Sequence, residues 1–117
     1  MKIAIIGSRN LSINNLEEYL PENCTEIVSG GASGIDRCAA EYARKNNIRL
    51  TEFLPEYTRY GRGAPLRRNK LIVDYADVIV AFWDGNSKGT KNVINYSKKA
   101  GKPLRVVKMS ETKNEHM

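Results

Sequence analysis

Glu26-Ile27-Val28-Ser29-Gly30-Gly31-Ala32-Ser33-Gly34-Ile35-Asp36 is the stretch that decides the fold. A short strand from Glu26 to Ser29 runs into paired glycines, which permit positive φ and close backbone approach. A helix then starts near Ser33 and Gly34. Its apolar positions, Ile35, Cys38, Ala39, Tyr42 and Ala43, recur at the helical period. The same order of strand, glycine turn and helix occurs elsewhere. Ile3 to Ile6 leads to Gly7-Ser8-Arg9, and Val78 to Phe82 leads to Gly85-Asn86-Ser87-Lys88-Gly89-Thr90.

Working outward, the pattern predicts an α/β three-layer sandwich with five strands and four helices. The two remaining strands are Arg49 to Leu54 and Leu104 to Val107. A first helix is expected after Ser12, with Ser12 as its cap, Leu11 stapled to Leu16, an inner stripe of Ile13, Leu16 and Leu20, and an end at Pro21. A third runs from Pro65, the favoured first helical position, to Tyr75. A fourth spans Thr90 to Ala100, stopped by Gly101 and Pro103. Between Glu56 and Gly63 a long loop carries Tyr57, Arg59, Tyr60 and Arg62. The first and fourth strands are wholly apolar and belong at the centre of a parallel sheet; the third and fifth carry charge, as edges do. Right-handed crossovers then favour the order 3-2-1-4-5, with the switch point between strands 1 and 4. Residues 1–108 are expected to form one domain and 109–117 a frayed polar tail.

Composition narrows the class. The 117 residues suit a single core without staples. No apolar run approaches the ~20 residues of a membrane span, and the apolar start at Met1 to Ile6 is too short for a signal sequence, so a cytoplasmic protein with no membrane partner is expected. Cys24 and Cys38 lack metal or redox spacing and read as buried free thiols. The single histidine, His116, sits in the tail, which disfavours His-based triads and most zinc sites. No metal, no cofactor and no catalytic residue is assigned. A net charge of +6 favours anionic partners, nucleic acid included.

The candidate site gathers where three glycine turns meet the carboxyl ends of the strands. Gly7, Ser8 and Arg9 follow strand 1, with Arg9 placed over the crevice. Gly30, Gly31, Ser33 and Gly34 offer amides at a helix N-terminus, where unpaired N–H groups and the dipole attract an anion. Asp36, in the first turn of that helix, reads as a loop clamp rather than a catalyst. Ser87, Gly89 and Thr90 place hydroxyls and amides at the mouth of the fourth helix. Arg67 and Arg68 lie in the first turn of the third helix, against its dipole, an arrangement that makes sense if an external anion sits between; Asn69 can add a hydrogen bond. Trp83, Tyr57 and Tyr60 are candidates to stack on a base. Lys88-Gly89-Thr90 is not the Gly-Lys-Ser/Thr of a P-loop, and strand 1 is not followed by GxGxxG, so P-loop hydrolysis and an ordinary dinucleotide site are disfavoured.

Taken in order, Gly7-Ser8-Arg9, Ser29 to Asp36, Arg68-Asn69-Lys70 and Ser87-Lys88-Gly89-Thr90 resemble the SLOG superfamily, which holds the DNA-processing protein A family and the LOG-type cytokinin-activating enzymes. The likeness runs from Lys2 to Val107 and is nearest to the small stand-alone YpsA-related members. It implies a Rossmann-like fold with a ligand over Arg9, Ser33, Gly34, Arg68, Ser87, Gly89 and Thr90, and by family analogy a homodimer. In the DNA-processing branch the Arg-Asn-Arg segment contacts single-stranded DNA; here it reads Arg68-Asn69-Lys70, keeping charge without the fork geometry. LOG enzymes carry a glutamate after their Gly-Thr signature; here Val93 stands at that place.

Three functions stay open on the sequence. The first is binding of a nucleotide or nucleotide-derived phosphorylated ligand, as a sensor. The second is single-stranded nucleic-acid binding. The third is N-glycosidic hydrolysis of a nucleotide, with Asp36 and Asp84 as its candidate acids.

Overall fold

The computed structural model of the chain describes residues 1–110. Five parallel strands, β1 (Lys2–Gly7), β2 (Glu26–Ser29), β3 (Arg49–Glu52), β4 (Val78–Trp83) and β5 (Leu104–Lys108), form one sheet in the order β3-β2-β1-β4-β5. Helices flank it: α1 (Ile35–Lys45), a short α2 (Tyr57–Tyr60), α3 (Ala64–Tyr75) and α4 (Lys88–Lys99). This is the Rossmann-like α/β arrangement that the sequence predicts, switch point included: β1 pairs with β2 on one side and with β4 on the other.

Alternation along the central strands builds two cores. Ile3 and Ile5 of β1 and Val80 and Phe82 of β4 face Ile35, Ala39 and Ala43 of α1. Ala4 and Ile6, with Ile79 and Ala81, face Ile72 and Val73 of α3 and Val93 and Ile94 of α4. Because both faces are covered, β1 from Ile3 onward and β4 are apolar. Phe82 is fully buried and meets the edge of the Tyr19 ring at a centroid distance of 5.1 Å.

Several elements differ from expectation. The helix predicted after Ser12 is reduced to a 3₁₀ turn, Leu16–Tyr19, with no side-chain cap. Leu11 and Leu16 are buried as the apolar stripe requires. The segment before them is instead pinned by Leu11 N–H on the Ser8 carbonyl (3.3 Å) and Ile13 N–H on Cys38 Sγ (3.4 Å). Consecutive Asn14 and Asn15, poor helix formers, leave a single turn before Pro21. β3 stops at Glu52, two residues short of the expected Leu54. The loop after it contains α2 and a 3₁₀ turn, Gly61–Gly63. α4 begins at Lys88, capped by Ser87, whose Oγ accepts from Thr90 N–H (3.3 Å).

Both cysteines are free and half-buried. Burial raises the Cys24 thiol pKa above its ordinary value. Within the expected tail, Met109 N–H donates to the Trp83 carbonyl (2.9 Å), prolonging the contact of β5 with β4 by one residue. Residues 111–117, with His116, lie outside the described residues. Among the described residues no helix is long and apolar enough to cross a membrane.

Candidate functional site

The ends of β1, β2 and β4 open onto a crevice of about 430 Å³. Its polar rim carries Arg9 and Asn10 after β1, Gly30 and Asp36 from the β2–α1 turn, Arg68 and Asn69 from α3, and Ser87, Gly89 and Thr90 at the start of α4. Ile6, Pro65, Ile72 and Val93 supply its apolar lining.

Three glycines are fixed by close approach. A side chain at Gly34 would lie 2.6 Å from the Ser8 carbonyl oxygen and 2.5 Å from that of Arg9, and φ there is +72°. Gly34 therefore lets the β1 loop pass directly beside the start of α1. At Gly7 the obstacles are the Phe82 carbonyl oxygen and Ile35, both at 2.6 Å. At Gly30 they are Arg68 Nη1 at 2.7 Å and Asp36 Oδ2 at 3.0 Å, so an acid and a base close on this turn from opposite elements.

Arg68 is anchored firmly. Its Nη1 donates to the carbonyls of Gly30 (2.6 Å) and Phe53 (3.3 Å), and its Nε donates to Asn69 Oδ1 (3.0 Å). Asn69 Nδ2 in turn donates to Asn92 Oδ1 (3.0 Å), joining α3 to α4 beneath the crevice. Burial lowers the Arg68 pKa while the nearby Asp36 carboxylate opposes that shift.

Asp36 is 6% exposed. Its Oδ2 accepts from Ala32 N–H (3.1 Å), clamping the glycine turn as expected. Its Oδ1 is buried without any hydrogen-bond partner. Burial raises the carboxyl pKa; the amides of Ala32 and Gly30 and the Arg68 guanidinium pull it down less strongly. Asp84 differs. Its Oδ1 accepts from the backbone N–H groups of Asn86 and Ser87, both at 2.8 Å, and these two bonds lower its pKa. It clamps the β4–α4 turn and is not among the residues lining the crevice.

Of the residues singled out in the sequence, Gly7, Arg9, Gly30, Asp36, Arg68, Asn69, Ser87, Gly89 and Thr90 line the crevice together. Ser8 is buried beneath it, with Oγ accepting from Asp84 N–H (3.3 Å). Gly31 (φ +73°) and Gly34 shape the turn, and Ser33 is exposed beside it. Arg67 points elsewhere: its guanidinium lies 4.2 Å above the Tyr60 ring, at a second hollow shared with Leu54 and Leu71. Arg68 borders both hollows, whereas Arg67 borders only the second, so the two are not together in the main crevice. Trp83 packs on the α3/α4 core and its Nε1 donates to the Ser87 carbonyl (3.0 Å), bracing the loop from outside the crevice. Asn10, Pro65, Ile72 and Asn92 were not singled out; Asn10 follows Arg9 directly, whereas nothing in the sequence pairs Asn92 with Asn69. Among the described residues no cluster of three His, Cys, Asp or Glu side chains could hold a metal ion.

Comparison with known proteins bears on this arrangement. A model of the YspA, cpYpsA-related SLOG family (YAcAr) matches residues 1–60, the half of the chain that holds β1, the paired glycines and Asp36. The chain belongs to this SLOG family. It is 46% identical over 33 residues to an uncharacterised SPbeta prophage-derived protein, YoqJ, of Bacillus subtilis (strain 168), covering 28% of this chain and 19% of that protein. It is also 29% identical over 102 residues to translation initiation factor IF-2 of Campylobacter jejuni subsp. doylei, covering 87% of this chain but 12% of the factor. The chain thus spans only a small part of the length of the curated relatives it matches. No solved structure matches it. Val93, at the place where the LOG enzymes of the superfamily have a glutamate, is 3% exposed and lines the crevice.

Proposed function

We propose that the crevice binds a nucleotide or nucleotide-derived phosphorylated ligand and that the protein serves as a sensor of it. The observation that carries this reading is the convergence of Arg9, Arg68 and the capped N-terminus of α4 on one hollow at the switch point of a parallel sheet. Anions are stabilised at helix N-termini, and ligands in open α/β sheets bind outside the strand carboxyl ends. The apolar lining suits a base or the carbon face of a sugar, and about 430 Å³ lies within the range of small-molecule sites. Val93 in place of a carboxylate favours binding over cleavage of a glycosidic bond.

Isothermal titration with ribonucleoside 5′-mono- and diphosphates and ADP-ribose tests the reading. At least one should bind, and at 100 times its dissociation constant should add about 2.7 kcal/mol of stability. A panel that neither releases heat nor moves the melting point refutes it.

A second reading, single-stranded nucleic-acid binding, draws on Tyr57, which is 56% exposed in the loop that also carries Arg59 and Arg62. It requires an affinity that falls with salt at a log–log slope near −0.7 per phosphate neutralised. A flat salt response excludes it.

A further inference from the structure

The second hollow, of about 320 Å³, has apolar walls in Leu54, Ala64 and Leu71. Leu54 is 61% and Leu71 50% exposed, so much of that apolar surface stands in water. Arg67, Arg68 and Lys70 bring three positive charges to the hollow against the one carboxylate of Glu56. Exposed apolar surface rimmed by polar groups marks a binding groove, and the excess of positive charge selects an occupant that is anionic as well as apolar. A nucleotide unit is both, through its phosphate and its base.

This hollow and the crevice share a wall. Among the described residues Arg68 alone lines both. Its side chain leaves α3 and reaches the Gly30 and Phe53 carbonyls through Nη1, so it stands as a partition between the two spaces. Its Nε is taken by Asn69 Oδ1. Its Nη2 bonds no group among the described residues and, unlike Asp36 Oδ1, is not buried. The partition therefore presents an open, charged donor, and guanidinium N–H groups of this kind bind phosphate. We propose, building on the nucleotide reading, that the ligand is bipartite: two nucleotide units joined by a phosphodiester, the first in the crevice, the second between Leu54 and Leu71, and the linking phosphate on Arg68 Nη2. Arg67, held 4.2 Å from the Tyr60 ring centroid, and Lys70 then border the second unit. A free dinucleotide and the 5′ end of a longer strand offer this same chemistry.

The test is isothermal titration of wild type and of the double variant Arg67→Ala, Leu71→Ala with the 5′-phosphorylated dinucleotides pApA, pCpC, pGpG and pUpU and with the matching 5′-monophosphates. Wild type is expected to bind at least one dinucleotide about tenfold or more tighter than its monophosphate, the increment that one further stacked base supplies. In the double variant that increment should vanish while affinity for the monophosphate stays within about twofold of wild type. Equal affinities of wild type for every dinucleotide and its monophosphate overturn the proposal and leave the nucleotide reading intact, as does an increment that persists in the variant. No binding of either kind of ligand overturns both. Should the double variant fail to fold, Arg67→Ala alone decides. An octanucleotide with the same 5′ end that binds no tighter than the dinucleotide assigns the two hollows to a free dinucleotide; one that binds tighter assigns them to the end of a strand.

Discussion

Arg68 Nη1 lies 2.6 Å from the carbonyl oxygen of Gly30, which makes a residue of α3 the brace of a turn on the far side of the switch point. The same nitrogen reaches the Phe53 carbonyl, just beyond β3. One guanidinium thus holds the ends of two strands in register with a helix from the opposite layer, while its charge borders the crevice.

Removing it should cost stability and binding together. Arg68→Ala leaves two carbonyls without their charged donor, and hydrogen bonds to charged groups contribute about 1.5–3 kcal/mol. A loss in that range is expected by urea denaturation. Arg68→Lys should recover part of the charge but not the simultaneous contacts through Nη1 and Nε. Arg67→Ala should stay within about 0.5 kcal/mol of wild type, since Arg67 is exposed and its contact is with the Tyr60 ring. Equal effects of the two alanines would contradict the division of labour between them.

Glycine substitutions should separate by backbone geometry. Gly34→Ala forces a Cβ against the Ser8 and Arg9 carbonyls at positive φ, and is expected to lose several kcal/mol or fail to fold. Gly89→Ala meets nothing within 4 Å in the first turn of α4, and should gain up to about 0.5–1 kcal/mol from helix propensity. Thermal melts of the two variants check both directions. A tolerated Gly34→Ala would show that the β1 loop and α1 do not pass as closely as described.

Glu26 gives an acid-side signature. Thr51 Oγ1 and Tyr75 Oη each donate to its Oε2 at 2.6 Å, and these two bonds hold its pKa below the ordinary carboxylate value. A lowered folded pKa stabilises the protein above the unfolded value of ~4.3 and loses that contribution as pH falls through the folded one. The stability gap between wild type and Glu26→Gln should therefore be full at pH 6 and narrow below about pH 4. A gap that does not change with pH would contradict the assignment.

Asp36 runs the other way. Burial raises its carboxyl pKa, with Glu52 adding to the shift and Arg68 opposing it. The ionised form thus weakens the fold above the raised pKa, and the penalty disappears below the unfolded value of ~3.9. Asp36→Asn should be more stable than wild type at pH 7, by ~1 kcal/mol, the low end of the cost of an unpaired buried group. The advantage should close below about pH 4. Denaturant titrations at pH 7 and pH 3.5 check this; a variant less stable at pH 7 would mean that the clamp on Ala32 outweighs the buried charge.

The sheet order was legible because it rests on strong, local signals: β1 from Ile3 onward and β4 are apolar on both faces, and each strand leading to the crevice runs into a glycine-containing turn. The fate of the first expected helix was not. Leu11, Ile13, Leu16 and Leu20 have nearly helical spacing, yet the core can bury Leu11 and Leu16 from an irregular segment held by Ser8 and Cys38. The crevice residues nearest the glycines could be read directly. Which of Arg67 and Arg68 turns inward could not, because that depends on where α3 starts against the sheet. The buried Glu26 at a strand entrance and the unpaired oxygen of Asp36 are likewise tertiary facts, created by side chains 25 to 49 positions away and by a cavity that no window of sequence contains.

The most direct test of the central claim is a ¹⁵N–¹H correlation spectrum recorded during titration with a ribonucleoside 5′-phosphate from the panel. Binding in the crevice predicts amide shifts concentrated at Arg9, Gly30, Ala32 and Ser87 to Thr90, saturating at one ligand per chain. Shifts confined to Tyr57 through Gly63, or no shifts with any member of the panel, would contradict it.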